Sequence, residues 1–258
     1  MMPAPMLSVT GLGKQYGDLR AVDGLTFTVG PGEVLGLVGP NGAGKTTTLR
    51  CLSGVVPPTS GRVVVAGHDL ARSPVEAKRQ LAFLPDEPRL FDYLTVREHL
   101  ALVARLYDAG PWEARGRALL EELELTGKED ALPGELSRGM KQKLTIACGF
   151  IHDPRLIVLD EPLTGLDPLA IRKMKQSLKA RAAAGAAVVL SSHLLPLVEE
   201  LCHRVLVLAG GRMVAHGTVE EIRAALAGQA GDSLEDLFIR ITSGATVEPM
   251  TTVPSGRS

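Results

Sequence analysis

The chain has 258 residues, 45% of them hydrophobic, and 28 Lys and Arg set against 29 Asp and Glu leave a formal net charge of −1. That length suits one large α/β domain or two small ones with a full core, and the near-zero charge gives no basis for broad nucleic-acid binding. The three cysteines, Cys51, Cys148 and Cys202, form no CxxC pair, so no disulfide framework is expected and a reducing compartment is.

Residues 7–30 alternate apolar and polar in places (Leu7, Val9; Leu25, Phe27, Val29), which predicts half-buried antiparallel strands, and Pro31-Gly32 ends them. The apolar run Val34-Leu35-Gly36-Leu37-Val38 reads as a buried strand. It leads into Gly39, Pro40, Asn41, Gly42, Ala43, Gly44, Lys45 and Thr46, which fit the phosphate-loop spacing G-x-x-x-x-G-K-[ST]; Thr47-Thr48-Leu49-Arg50 then opens a helix. Strand, glycine loop and helix together are the context in which that spacing binds phosphate. Glycines allow close backbone approach, and backbone N–H groups at the positive end of the helix face the anion. Lys45 is then expected to reach the β- and γ-phosphates and the Thr46 hydroxyl to ligate Mg²⁺.

Further along, Pro57-Pro58-Thr59-Ser60-Gly61 is a turn cluster before a short Val63-Val64-Val65 strand, and residues 74–84 begin helical and end in the apolar Leu81-Ala82-Phe83-Leu84. From about 95 to 125 the spacing is helical (Val96, Leu100, Val103, Leu106, then Leu119, Leu120, Leu123), and 136–152 predicts another helix. Leu156 to Leu159 reads as a buried strand, 168–184 as a helix, Val188-Val189-Leu190 as a strand and Leu194 to Cys202 as a helix. Val205 to Leu208 and Met213 to Ala215 flank Gly210-Gly211, a hairpin signal. Strands alternating with helices imply a mainly parallel sheet. The fold class expected is α/β, a P-loop NTPase core with an N-terminal antiparallel β subdomain and an inserted α-helical lobe at roughly 86–152. Residues 1–243 are expected to form one domain, and the Ser-, Gly-, Thr- and Pro-containing 244–258 a disordered tail.

Ligands of parallel α/β sheets sit at the carboxyl ends of the strands, which sets Asp160 beside the phosphate loop as a second Mg²⁺ ligand, direct or through water. Glu161, one residue further, can polarise the water that attacks the γ-phosphate. Leu136-Ser137-Arg138-Gly139-Met140 precedes the predicted helix Lys141 to Ala147 and resembles the ABC signature sequence, with Arg at its third position and Met at its fifth. On these motifs the chain resembles the ATP-binding subunit of an ABC transporter, over residues 7–217. The resemblance implies further roles: Tyr16 as the aromatic platform for adenine, Thr47 within the phosphate site, Gly165-Leu166-Asp167 as the D-loop, and His193 as the switch histidine. Taken singly, Tyr16 also fits a packed aromatic and Asp167, before Pro168, a helix N-cap. Ser137 and the N–H groups of its helix form a second anion site, with Arg138 and Gly139 beside it.

In the family, two ATP molecules are sandwiched in a head-to-tail dimer, each between the phosphate loop of one subunit and the signature of the other. ATP and Mg²⁺ are therefore the cofactors implied. The partners implied are a second ABC ATPase subunit, identical or not, and an integral membrane permease, with no direct nucleic acid. Met1 to Met6 lacks the basic-then-apolar order of a signal peptide, and no apolar stretch approaches the ~20 residues that span a bilayer. Work at a membrane is thus expected to run through the permease, with the chain attached to the cytoplasmic face.

The sequence departs from the family pattern in three places. Asp86, after Leu84-Pro85, stands where the family has a glutamine that senses Mg²⁺ and the permease; it is shorter and anionic, and is taken as a third Mg²⁺-facing residue. Arg138 replaces a glycine and points either to the nucleotide or to solvent, and Met140 cannot make the hydrogen bonds of the usual glutamine. His68, His99, His152, His203 and His216 have no motif context and read as surface or structural. The signature variant, Leu84 to Pro88 and the element Leu234 to Phe238 look most like exporter subunits of the ABC-2 type. The competing functions are a soluble ABC ATPase acting on ribosomes or DNA, which tends to carry two nucleotide domains or a long coiled coil, and a small-molecule kinase, which would avoid a water-activating Glu161.

Overall fold

The computed structural model describes residues 4–163 and 165–225. The chain runs β1 (Leu7–Tyr16), β2 (Leu19–Val29), β3 (Val34–Val38), α1 (Lys45–Leu52), β4 (Ser60–Val65), β5 (His68–Asp69), α2 (Pro74–Arg79) and β6 (Leu81–Leu84). The helices α3 (Val96–Leu106), α4 (Glu113–Glu122) and α5 (Arg138–Phe150) follow. Then come β7 (Leu156–Asp160), α6 (Pro168–Ala183), β8 (Ala187–Ser191), α7 (Leu195–Leu201), β9 (Arg204–Ala209), β10 (Arg212–Gly217) and α8 (Val219–Ala225). The element Leu234 to Phe238 and the segment 244–258 lie outside the described residues.

The strands form two sheets. One is four-stranded and antiparallel, in the order β2-β1-β4-β5; the other is six-stranded, in the order β10-β9-β3-β8-β7-β6, parallel except where β10 returns beside β9. The composition of each strand follows from its place. β3, β7 and β8 are central, covered on both faces, and each is buried along its full length, which is why they read as unbroken apolar runs. β2 covers the core on one face only and alternates buried and exposed along its second half.

Side chains of the parallel strands alternate between two buried clusters. Val34, Val38, Ile157, Leu159, Val188 and Leu190 pack towards the helices, while Leu35, Leu37, Val158 and Val189 pack towards the antiparallel sheet and α1. Each fully buried Leu or Val is worth roughly 1.5–3 kcal/mol. Gly36 lets α7 close on β3, since a Cβ there would lie 2.6 Å from Val198 Cγ1. The helical insertion is present as α3 to α5, yet it has no separate core. Leu144, Ala147 and Phe150 of α5 share one cluster with Leu84, Ile157 and Leu159, so α5 roofs the sheet as well as anchoring α3 and α4. Thr95 and Glu98 make a reciprocal capping box that starts α3. His99 and His203 are structural: His99 Nε2 accepts the Phe91 N–H at 2.9 Å and His203 Nδ1 accepts the Val34 N–H at 3.0 Å.

Candidate active site

The phosphate loop is held open by contacts that only glycine permits. Gly44 sits at φ 99° as the N-cap of α1, and a Cβ on it would lie 2.4 Å from the Ala21 carbonyl oxygen. β2 and the β9–β10 turn thus brace the loop from outside, with Gly211 N–H donating to Ala43 O at 3.1 Å and Asp23 N–H to Gly211 O at 2.8 Å. No side chain caps α1, so its first N–H groups keep the anion-binding capacity of a helix start. Pro40, Asn41 and Gly42 form the exposed lip, Gly39 and Ala43 are buried beneath it, and Thr47 is half-buried. Lys45 Nζ donates to the carbonyls of Gly39 at 2.7 Å and Pro40 at 3.1 Å, across the mouth of the loop. Burial lowers the pKa of this ammonium, while Glu161 and then Asp160 pull it back up.

Beside the loop, Thr46 Oγ1 donates to Asp160 Oδ1 at 3.3 Å. Two cis ligands of a Mg²⁺ with ~2.1 Å bonds lie about 3 Å apart, so this oxygen pair matches one edge of a Mg²⁺ octahedron. Among the described residues no group of three or more His, Cys, Asp and Glu could hold a metal alone. A Mg²⁺ that takes one or two protein oxygens and completes its shell with phosphate and water needs no such group. Asp160 is 4% exposed and also accepts the Ser191 hydroxyl at 2.8 Å.

Glu161 is held by three contacts. Its N–H donates to Ser191 Oγ at 3.1 Å, and its Oε2 lies 2.9 Å from His193 Nδ1 and accepts the His193 N–H at 3.4 Å. Its backbone adopts φ 47°, in the left-handed region unusual for a residue with a side chain. β7 and β8 are in register at Asp160 and Ser191, so both polar strand ends emerge at the same height. Ser191 is the residue that sequence reasoning missed. Its only signal was a hydroxyl closing the apolar run of a strand adjacent to that of Asp160.

Asp86 is exposed after β6, and its pKa is raised, first by burial and then by the charges of Asp160, Glu161 and Glu87, with Arg138 opposing. Ser137 is the N-cap of α5: its Oγ accepts the Met140 N–H at 3.2 Å. The side chain of Arg138 lies over Gly165, where a Cβ would be 3.2 Å from Arg138 Nε, and a Cβ on Gly139 would be 3.5 Å from Gly165 O. Asp167 caps α6 through Ala170 N–H at 2.9 Å. Tyr16 is 44% exposed at the tip of the β1–β2 hairpin, with Lys14 Nζ 4.9 Å from its ring centre. Lys45, Thr46, Asp160, Glu161 and His193 therefore share one cluster, Ser137, Arg138 and Gly139 share a ledge with Gly165, and Tyr16 stands at the hairpin tip.

Comparison with known proteins yields the same outline. The family model described as ABC transporter matches residues 22–164. The chain is 38% identical over 239 residues to Nod factor export ATP-binding protein I of Paraburkholderia xenovorans (strain LB400), covering 92% of this chain and 78% of that protein. It is 35% identical over 239 residues to the ABC-type transporter ATP-binding protein EcsA of Bacillus subtilis (strain 168), covering 92% and 96%. Among solved structures, the ATP-binding subunit of an ABC transporter superposes with a TM-score of 0.88 at 37% identity, covering 92% of this chain and 99% of the other. An ATP-bound bacterial Atm1-family ABC exporter shares the fold, with a TM-score of 0.79 at 22% identity over 93% of this chain and 44% of that one.

Proposed function

The chain belongs to the ABC transporter family as an ATP-binding subunit, and on that premise we propose that it is the motor of an exporter, closing and opening as a head-to-tail dimer beneath a separate integral membrane permease. It is an ATPase. The observation that carries the site assignment is the juxtaposition of the Thr46–Asp160 oxygen pair with a Glu161 fixed by Ser191 and His193.

The backbone N–H groups of Gly39 to Thr47 cradle the phosphates, and Lys45 exchanges its loop carbonyls for β- and γ-phosphate oxygens. Thr46 and Asp160 would hold Mg²⁺, with the Asp86 carboxylate adding negative charge nearby. When bound, the ion neutralises charge building on the phosphate oxygens. Tyr16 stacks on the adenine. The Glu161 carboxylate accepts a proton as water forms its bond to γ-phosphorus and the bond to the bridging oxygen breaks, releasing ADP and phosphate. His193 holds Oε2 of Glu161 and so aims the carboxylate.

The signature ledge of Ser137, Arg138 and Gly139, together with the partner's Asp167 region, closes the site from a second subunit, identical or different. ATP then acts as the bridge between subunits, and loss of the γ-phosphate lets them part. The described residues between 4 and 225 act as one working unit. No helix among the described residues is long and apolar enough to cross a membrane, and the chain works attached to the cytoplasmic face through the permease. The export direction is supported by the Nod factor export relatives, and no property of the sequence favours ribosome or DNA action. The test is to express the chain with its membrane partner. A multi-span membrane protein should co-purify and raise or gate phosphate release from ATP; a chain that hydrolyses ATP fully yet retains no membrane protein would refute the motor assignment.

A further inference from the structure

The signature helix touches its own subunit's catalytic segment at two points that lie one turn apart. Arg138 and Gln142 are four residues apart on α5 and therefore share a face. Arg138 covers Gly165, with Nε, Cδ and Cζ at 3.2, 3.6 and 3.8 Å from a Cβ placed there. Gly165 is at φ 81°, so the surface under the guanidinium is bare backbone. Gln142 is only 2% exposed, and its Nε2 donates to the Pro162 carbonyl at 3.4 Å. Pro162 directly follows the strained Glu161.

We propose that Arg138 and Gln142 are positioning residues that latch the signature helix to Gly165 and Pro162 of the same subunit, so that docking of Ser137 on a partner's nucleotide is felt at Glu161. This rests on the site assignment above. Three observations support a movable latch over inert packing. Gln142 Oε1 is buried with no hydrogen-bond partner among the described residues, and the Nε2 bond to Pro162 is long at 3.4 Å, so the described contacts hold the amide loosely. Glu161 stores backbone strain that a small shift of Pro162 would relieve or deepen. The Arg138 side chain is exposed and buries little, so its contact with Gly165 contributes more to geometry than to stability. Its charge also reaches Asp86 and opposes the neighbouring carboxylates, which ties the same side chain to the front of the site. The latch uses only the Arg138 side chain, not its backbone.

The test measures kcat and KM for ATP, ATP-dependent dimerisation and thermal midpoint for the wild type, Arg138→Ala, Gln142→Met and the double variant. A latch predicts that each single change lowers kcat about five- to tenfold with KM for ATP and, for Arg138→Ala, the thermal midpoint unchanged. The double variant should lose little more than the worse single, because two halves of one latch are not additive. A raised KM at unchanged kcat for Arg138→Ala would show a nucleotide contact and overturn the proposal, as would wild-type kcat or fully multiplicative losses. Should Gln142→Met not fold, Arg138→Ala decides by itself. If the wild-type chain forms no ATP-dependent dimer, the site assignment fails and the latch with it; if the wild type dimerises and hydrolyses while Arg138→Ala matches it, the latch alone fails.

Discussion

The Ser191 hydroxyl donates to Asp160 Oδ1 at 2.8 Å and accepts the Glu161 N–H at 3.1 Å, so one buried oxygen on β8 fixes the carboxylate that ends β7 and the backbone of the residue after it. Ser191→Ala would orphan the Glu161 N–H and free Asp160 to rotate. An unsatisfied buried donor costs about 1–3 kcal/mol, so the thermal midpoint should fall. Groups that orient metal ligands typically account for about 10–100-fold in activity, and the ATPase rate should drop on that scale, with higher Mg²⁺ needed for half-maximal rate. Equal rates and equal Mg²⁺ curves for the two proteins would show that Asp160 needs no second support.

Glu161→Gln keeps the shape of the side chain and an oxygen for the His193 N–H, but removes the proton acceptor. ATP binding should survive, hydrolysis should fall about a hundredfold or more, and an ATP-bound dimer should accumulate in light scattering. Hydrolysis at the wild-type rate would remove Glu161 from the water-activating role.

Much of this site could be read from spacing because strand ends are local. The unbroken apolar runs of β3, β7 and β8 announced central strands, and the residues that follow or close them, Lys45 with Thr46 after the glycine loop and Asp160 with Glu161 at the end of β7 itself, meet where parallel strands end. How a helix packs against a loop that follows it was not legible. Gln142 in a Lys-rich helix reads as a solvated position, yet it is buried and its amide meets the Pro162 carbonyl 20 residues later. Arg138 was expected at nucleotide or solvent; its resting place on Gly165 depends on a glycine 27 residues later leaving room for a guanidinium. The helical insertion could be seen but its boundary could not, since Phe150 and Leu144 belong to the core under the sheet as much as to α3 and α4.

Glu124 joins two helices by ion pairs, to Lys173 of α6 at 2.7 Å and to Lys143 of α5 at 2.9 Å. Hydrogen bonds from Lys173 and then Lys143 hold its pKa down from 4.5 to about 2. The folded state therefore favours the carboxylate, a contribution present above the unfolded pKa of 4.5 and lost as pH falls through about 2. Glu124→Gln should lower stability at pH 7 modestly, since the group is exposed and screened, and the gap from wild type should close between pH 4.5 and 2. Thermal melts across that range at low and high salt measure it. A gap that is constant with pH would assign the effect to packing at the C-terminus of α4 instead of to charge.

Asp86 faces Asp160 and Glu161 without a cation of its own beyond the reach of Arg138, and its pKa rises accordingly, burial first and the three neighbouring carboxylates next. Such a crowd of negative charge attracts a divalent cation, and each carboxylate adds to that field at the cost of repulsion when the cation is absent. Asp86→Gln places there the glutamine that the resemblance expects and removes one charge from the group. Because Asp86 is exposed, the expected change is a rise of about two- to fivefold in the Mg²⁺ concentration for half-maximal ATPase, with the rate at saturating Mg²⁺ nearly unchanged. Without Mg²⁺, the same variant should melt slightly higher than wild type at pH 7, because the folded state no longer holds a charge that burial and its neighbouring carboxylates disfavour. Superimposable Mg²⁺ titrations for the two proteins would place Asp86 outside the field of the metal and leave its substitution for glutamine without a role in ATP hydrolysis.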